Sequence, residues 1–428
     1  QPIAAGADLR PFDILIVGKS ALTASDPVPD IRRVREGLKV VVFEQTAEAL
    51  EKRLGFRVME YGLRQVFPRV PDHPLLAGLS AEHLRDWRGE ATLLPPRLKY
   101  ESGSKFSGAP TVTWCGLPVT RLWRCGNRGN VASVLIEKPA RGDFLPILDG
   151  GFSLQYSPLL EYREGRGLVV FCQVDVTGRT ESEPVVRTLT RNLLRYVTDW
   201  KPSPRRQAAY AGDPGGSTHF QTIGVATASF DGEGLSPDQV LIGGPGAGRM
   251  LAGRAALVAD FLKAGGTLLA VGMDQDDVDA LLPFKVTLKK GEHIASFFEP
   301  AGTDSPFAGI SPADVHNREP REVPLVAGGA RIVGNGVLAR AEGANVVFCQ
   351  LAPWQFDGTK QANLRRTRRR VAFLVSRLLA NLGVAGATPL LERFQHPVDP
   401  ARPEQRWLDG FYLDQPEEWD DPYRFFRW

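Results

Sequence analysis

The sequence predicts an α/β protein built as two tandem, doubly wound domains with mostly parallel sheets. Three observations predict it. Unbroken Val, Ile and Leu runs read as strands buried on both faces. These runs alternate with amphipathic, helix-like stretches. The alternation also occurs twice along the chain in the same order.

The matched blocks justify each element in turn. FDILIVG (12–18) and PDQVLIGG (237–244) each set an acid before a short apolar run and a glycine after it. A helix is predicted next in both copies, over IRRVREG (31–37) and AALVADFLKAGG (255–266), with the terminal glycines as C-caps. Second strands follow at LKVVVFEQ (38–45) and TLLAVG (267–272), then helices at AEALEKRLGF (47–56) and QDDVDALLPF (275–284). DHPLLAGLSAEHL (72–84) parallels DSPFAGISPADV (304–315), and GRGLVVFCQVD (165–175) parallels EGANVVFCQLA (342–352). Long amphipathic helices close both copies, at VVRTLTRNLLRYV (185–197) and RRVAFLVSRLLANLG (369–383). The predicted domains are 1–203 and 204–386.

The copies are unequal. The first carries an insertion near 90–145, in which TVTWCGLPVTRLWRCGN (111–127) reads as a β-hairpin. The second opens with an extra strand, short helix and strand: QAAYAGD (207–213), GGSTHFQTIG (215–224) and VATASF (225–230). The first has no counterpart, so the expectation is that its opening βα unit lies upstream of Gln1, in the same protein or another chain, unless the first domain is a smaller variant. Residues 387–428 read as an extended C-terminal arm whose aromatics, from Trp407 to Trp428, pack on a neighbouring surface.

Composition narrows the function classes. The 43% apolar and 24% charged fractions over 428 residues are those of a globular protein with enough apolar mass for two cores. A net charge of +3 does not indicate a nucleic-acid partner. No run approaches a membrane span, and no signal peptide opens the sequence. Cys172 and Cys349 sit inside apolar runs and read as buried thiols. Cys115 and Cys125 lie ten apart, and a hairpin there would bring them within reach of one disulfide in an oxidising compartment. No spacing suits a metal, and no cofactor is expected.

Candidate chemistry is sparse. GGPGAGRM (243–250) lacks the Lys-Ser/Thr pair of a phosphate loop and reads as a strand-end turn. RRTRRR (365–370) opens a predicted amphipathic helix and reads as a solvated face with snorkelling arginines. Ligands of open α/β sheets sit at the strand C-terminal ends, which here carry Glu44, Gln45, Gln173, Asp175, Gln350 and Trp354. The competing reading is that these glutamines satisfy loop backbone. Trp87, Trp114 and Trp123, in or beside the insertion, are candidates for stacking on sugar rings.

These blocks resemble the class I glutamine amidotransferase-like and flavodoxin-like family, a Rossmann-like fold. That family's enzymes place a nucleophilic cysteine in a glycine-flanked elbow with a partner histidine. Here Cys172 and Cys349 are followed by Gln-Val-Asp and Gln-Leu-Ala, and no histidine recurs between the copies, so the resemblance does not carry the nucleophile over. DILIVGK, REGLKVVVFEQ, FPRVPDHPLLAGL, RCGNRGNVASVLIEKPARGDFLPILDGGF, PLLEYREGRGLVVFCQVD and DQPEEWDDPYRFFRW together resemble the C-terminal region of large bacterial proteins of glycoside hydrolase family 2, the β-galactosidase type. That resemblance spans nearly the whole chain. It implies a secreted or periplasmic setting, with catalytic carboxylates on a TIM barrel outside this sequence. The implied role is a non-catalytic accessory and assembly portion, with an upstream catalytic part, a carbohydrate or further copies of the chain as partners. A free-standing hydrolase or amidotransferase-like enzyme and a sugar-binding module are the alternatives.

Overall fold

The computed structural model describes residues 2–93, 111–114, 117–120, 127–230, 234–317, 319–358 and 363–411. It is a mixed α/β chain that divides into two compact units. The first comprises Gln1–Lys138, Phe144–Pro202 and Pro389–Trp428, and the second Pro139–Asp143 and Ser203–Thr388.

In the first unit β1 (Ile14–Val17) lies parallel to β2 (Lys39–Phe43), with Ile16 opposite Val41. Between them the expected helix is a short 3-10 helix, Ile31–Glu36, capped by Asp30 and ended by Gly37 at φ 125°. The second expected helix is a single π turn, Ala49–Arg53. Both are too short for the α-helices that their apolar spacing suggested. Then come β3 (Val58–Leu63), β4 (Phe67–Pro68), β5 (Trp87–Glu90), the β6 (Thr111–Trp114) and β7 (Leu117–Thr120) hairpin, and β8 (Arg128–Gly129). The hairpin is where the sequence placed one; Cys115, Cys125 and Trp123 lie outside the described residues.

The end of the expected insertion is core. β9 (Ala132–Glu137) and β10 (Phe144–Gly150) are buried at every position and belong to the main sheet with β11 (Tyr156–Glu164) and β12 (Gly167–Cys172). β12 runs parallel to β2, whereas β11, β10 and β4 continue antiparallel, and β9 joins β11 to β3. Among the described residues, parallel pairing in this sheet is thus confined to β1, β2 and β12. Helix α1 (Pro184–Asp199) starts at the Glu183 N-cap and buries Val186, Leu189, Leu193 and Val197 as one stripe.

In the second unit β13 (Gln207–Ala211), α2 (Pro214–Thr222) and β14 (Thr227–Ser229) form the opening unit. β15 (Gln239–Gly243), α3 (Ala247–Met250), α4 (Ala255–Lys263), β16 (Thr267–Val271) and α5 (Gln275–Leu281) follow. A ribbon of β17 (Thr287–His293) and β18 (Arg321–Gly328) stands beside β19 (Arg331–Val333), β20 (Leu338–Arg340), β21 (Val346–Cys349) and the long α6 (Asn363–Asn381). The sheet order is β14-β13-β15-β16-β21-β20-β19, parallel through β21 and antiparallel after it.

Five strands of each sheet share order and direction: β1-β2-β12-β11-β10 in one, β15-β16-β21-β20-β19 in the other. A shared turn accompanies them. In DHPLL the His73 Nδ1 accepts from Leu75 N (3.3 Å), and in DSPF the Ser305 Oγ accepts from Phe307 N (3.1 Å), so the second residue of each block caps its own turn.

The described part of the C-terminal arm is compact rather than extended. Leu390, Leu391, Phe394 and Leu408 join the first unit's core, and Trp407 is buried against the Arg57 and Arg406 guanidiniums. The arm's remaining aromatics, Tyr412 to Trp428, lie outside the described residues. RRTRRR is not a solvated face: Arg366, Thr367, Arg369 and Arg370 are buried on α6, and only Arg365 is exposed. Three of its five arginines are buried, because α6 lies inside the unit and carries them with it. No helix among the described residues is long and apolar enough to cross a membrane.

Candidate functional site

At the C-terminal ends of β2 and β12, four predicted site residues come together. The Gln173 side chain accepts from Gln45 N (2.8 Å) and donates to Gln45 O (3.0 Å). The Gln45 side chain accepts from Leu22 N (2.8 Å) and donates to Gly18 O (2.8 Å), tying down the loop after β1. Glu44 accepts from Val176 N (2.8 Å), Thr177 N (2.7 Å) and the Thr177 hydroxyl (2.7 Å). Asp175 accepts from the Ser133 hydroxyl at 2.6 Å. Burial, with the Glu44 carboxylate beside it, pushes Asp175 up to about 7. Every one of these side chains is buried, and its partners are this unit's own loop backbone and side chains.

The second unit's strand ends are filled differently. Sheet order reverses between β13 and β15, the place where open α/β sheets hold ligands. There the Tyr210 ring occupies the space. A Cβ added to Gly216 would lie 2.0 Å from its hydroxyl oxygen, and one added to Gly244 2.5 Å. The Tyr210 hydroxyl donates to Asp213 O (2.9 Å). Asp213 caps α2 by accepting from Gly216 N (2.9 Å), and its other oxygen accepts from Trp354 Nε1 (3.1 Å). Trp354 packs against Phe220 and His219, with ring centroids 5.8 and 5.6 Å away. Burial holds the His219 imidazole down, at about 3.

The glycine-rich turn is likewise filled from within. Asp277 accepts from Gly246 N (2.9 Å) and Gly248 N (2.8 Å), so a carboxylate sits where a phosphate loop would cradle an anion. Gln350 ends β21 as Gln173 ends β12, yet its buried amide finds no hydrogen-bond partner among the described residues.

Neither described thiol is placed as a nucleophile. Cys172 and Cys349 are both buried. Burial pushes the Cys349 thiol up to about 12 and shifts Cys172 in the same direction, the reverse of what thiolate chemistry needs. Trp87 cannot serve as a sugar platform: it is 2% exposed, donates to His83 O (2.7 Å) and lies under the Arg179 guanidinium. Trp114 ends β6.

Two features had no clear signal in the sequence. Glu161, buried on β11, accepts from the Tyr196 hydroxyl (2.7 Å) and faces His73 Nε2 at 3.4 Å. Burial alone would raise its pKa, but Arg163 and His73 outweigh that and hold the carboxylate well below its usual range. The pair is separated by 88 residues of sequence. The second is an open cleft of about 630 Å³ in the second unit, between residues 297–307 and the β19–β20 hairpin, lined by Phe297, Phe307, Ile332, Arg331 and Arg340. No group of three His, Cys, Asp or Glu side chains among the described residues is placed to hold a metal ion. No protein-family model matches the chain, and no curated protein matches it.

Proposed function

We propose that this chain is a non-catalytic accessory and assembly portion of a larger carbohydrate-active enzyme of the β-galactosidase type. Its two units are then diverged copies of one flavodoxin-like, amidotransferase-like domain. The observation that carries the non-catalytic part is the closure of the strand ends. Where a catalytic member of such a fold presents a nucleophile, this chain spends Gln45, Gln173 and Glu44 on its own loops and fills the β13–β15 opening with Tyr210. The carbohydrate part rests on the sequence resemblance, and so does the secreted or periplasmic setting. On this reading the catalytic carboxylates belong to a partner region, and the whole assembly contacts a sugar or a further copy of the chain.

The test is turnover of aryl-β-galactosides by the purified chain. No hydrolysis above the buffer rate is expected, whereas the intact source protein should hydrolyse them. Turnover by the isolated chain that disappears in a Glu44→Gln or Asp175→Asn variant would overturn the proposal in favour of a strand-end hydrolase.

A further inference from the structure

The five-strand pattern shared by the two sheets allows residue-by-residue comparison. Aligned on Cys172 and Cys349 through the strand registers, Ile16 of β1 corresponds to Ile242 of β15. Ile242 is 0% exposed, with β13 beside it in parallel register and Tyr210 directly opposite. Ile16 is 51% exposed, and among the described residues β1 pairs with β2 alone. The long helices repeat the contrast. The Leu-Leu pair of α6, Leu378 and Leu379, is fully buried, whereas in the matching pair of α1 Leu193 is buried and Leu194 is 42% exposed. Leu194 lies one turn before Thr198, whose carbonyl accepts from Lys39 Nζ (3.1 Å) at the start of β2. Leu194 therefore sits on the helix that covers the β1–β2 side of the sheet.

We infer that the outer edge of β1 is an acceptor for one more parallel β-strand, followed by a helix that covers Ile16 and Leu194. The occupant is defined by the chemistry that fills the same place in the second unit. It is a strand of small and apolar residues such as Gln207–Ala211, paired in parallel through its backbone, and then a short capped helix such as Pro214–Thr222 carrying an aromatic on its inner face. An antiparallel pairing with a second β1 would supply the backbone hydrogen bonds, but it would bring no helix over Leu194. The inference rests on reading the two units as copies, and not on the carbohydrate reading, which the galactoside assay tests by itself.

The experiment grafts a copy of residues 206–236 directly before Pro11 of the full chain, reproducing the connection that leads from β13 through α2 and β14 into β15. If β1 accepts a parallel strand, hydrogen exchange at Ile14 and Ile16, whose amides point away from β2 in this register, slows by at least about tenfold, because these edge amides gain partners. The melting temperature rises by several degrees, and Ile16→Lys in the grafted chain cancels both effects. Unchanged exchange at β1 in the graft overturns the inference. So does a dimer of the ungrafted chain that Ile16→Lys dissociates, since the edge would then belong to a second copy. Circular dichroism of the ungrafted Ile16→Lys variant should match the parent, since Ile16 is already solvent-facing.

Discussion

Gln173 and Gln350 end equivalent strands with the same residue and opposite outcomes. Gln173 makes two hydrogen bonds to the Gln45 backbone, whereas the Gln350 amide is buried without a partner among the described residues. Removing one partner of a buried pair leaves a desolvated group behind, at about 1–3 kcal/mol. Gln173→Leu should therefore lower the urea-unfolding free energy by about 2 kcal/mol, while Gln350→Leu should be neutral or slightly stabilising. Two titrating groups add a pH signature. The folded pKa of Asp175 lies above its ordinary 3.8, so the native state keeps a proton that the unfolded chain has lost. Its contribution to stability is therefore lost as pH rises from about 4 to about 7. The folded pKa of His219 lies below its ordinary 6.5, so the unfolded chain takes up a proton that the native ring refuses, and stability falls as pH drops from 6.5 towards 3. Asp175→Asn should flatten the first slope and His219→Gln the second, read from melting temperatures across pH 4 to 8.

Among the elements, sequence reading was most accurate where periodicity or glycine punctuation was strong. α1, α4, α5 and α6 fall where their apolar stripes and caps placed them, as do β2, β12, β16 and β21. It was least accurate at the stretches after β1 and β2, where six and five residues form a 3-10 helix and a π turn, and at β9 and β10. Those two strands carry the acids Glu137 and Asp149, which break the unbroken apolar run of a strand buried on both faces. They are buried because Arg57 meets Glu137 at 2.7 Å and Arg69 meets Asp149 at 2.7 Å, pairings between residues 80 apart that no local pattern reveals. The strand-end glutamines were legible as a site or as loop clamps, and only their partners distinguish the two. Tyr210 was not legible as the filler of the β13–β15 opening, because the glycines that admit it come from two separate stretches, Gly212 and Gly216 after β13 and Gly244 after β15. Gly216→Ala should cost about 1–3 kcal/mol by overpacking against the Tyr210 hydroxyl, and adding Tyr210→Leu should recover part of that loss in a double-mutant cycle.

On the scale of the whole molecule, each unit holds one described cysteine, Cys172 in the first and Cys349 in the second. In a Cys115→Ser, Cys125→Ser background neither should react with an aromatic disulfide reagent under native conditions. Labelling with rising urea, followed by peptide mapping, then reports the opening of each unit separately. Rapid labelling of Cys349 in the folded protein would contradict its burial.

The outer edge of β1 also bears on solubility. An unpaired strand edge invites stacking into fibres, and proteins suppress this with short strands and flanking charges. β1 is four residues long, with the exposed Asp13 before it and Lys19 two residues after it. Charges in these places are expected to discourage an endless ladder of identical edges. Asp13→Asn combined with Lys19→Gln should leave the melting temperature nearly unchanged and lower the concentration at which light scattering begins.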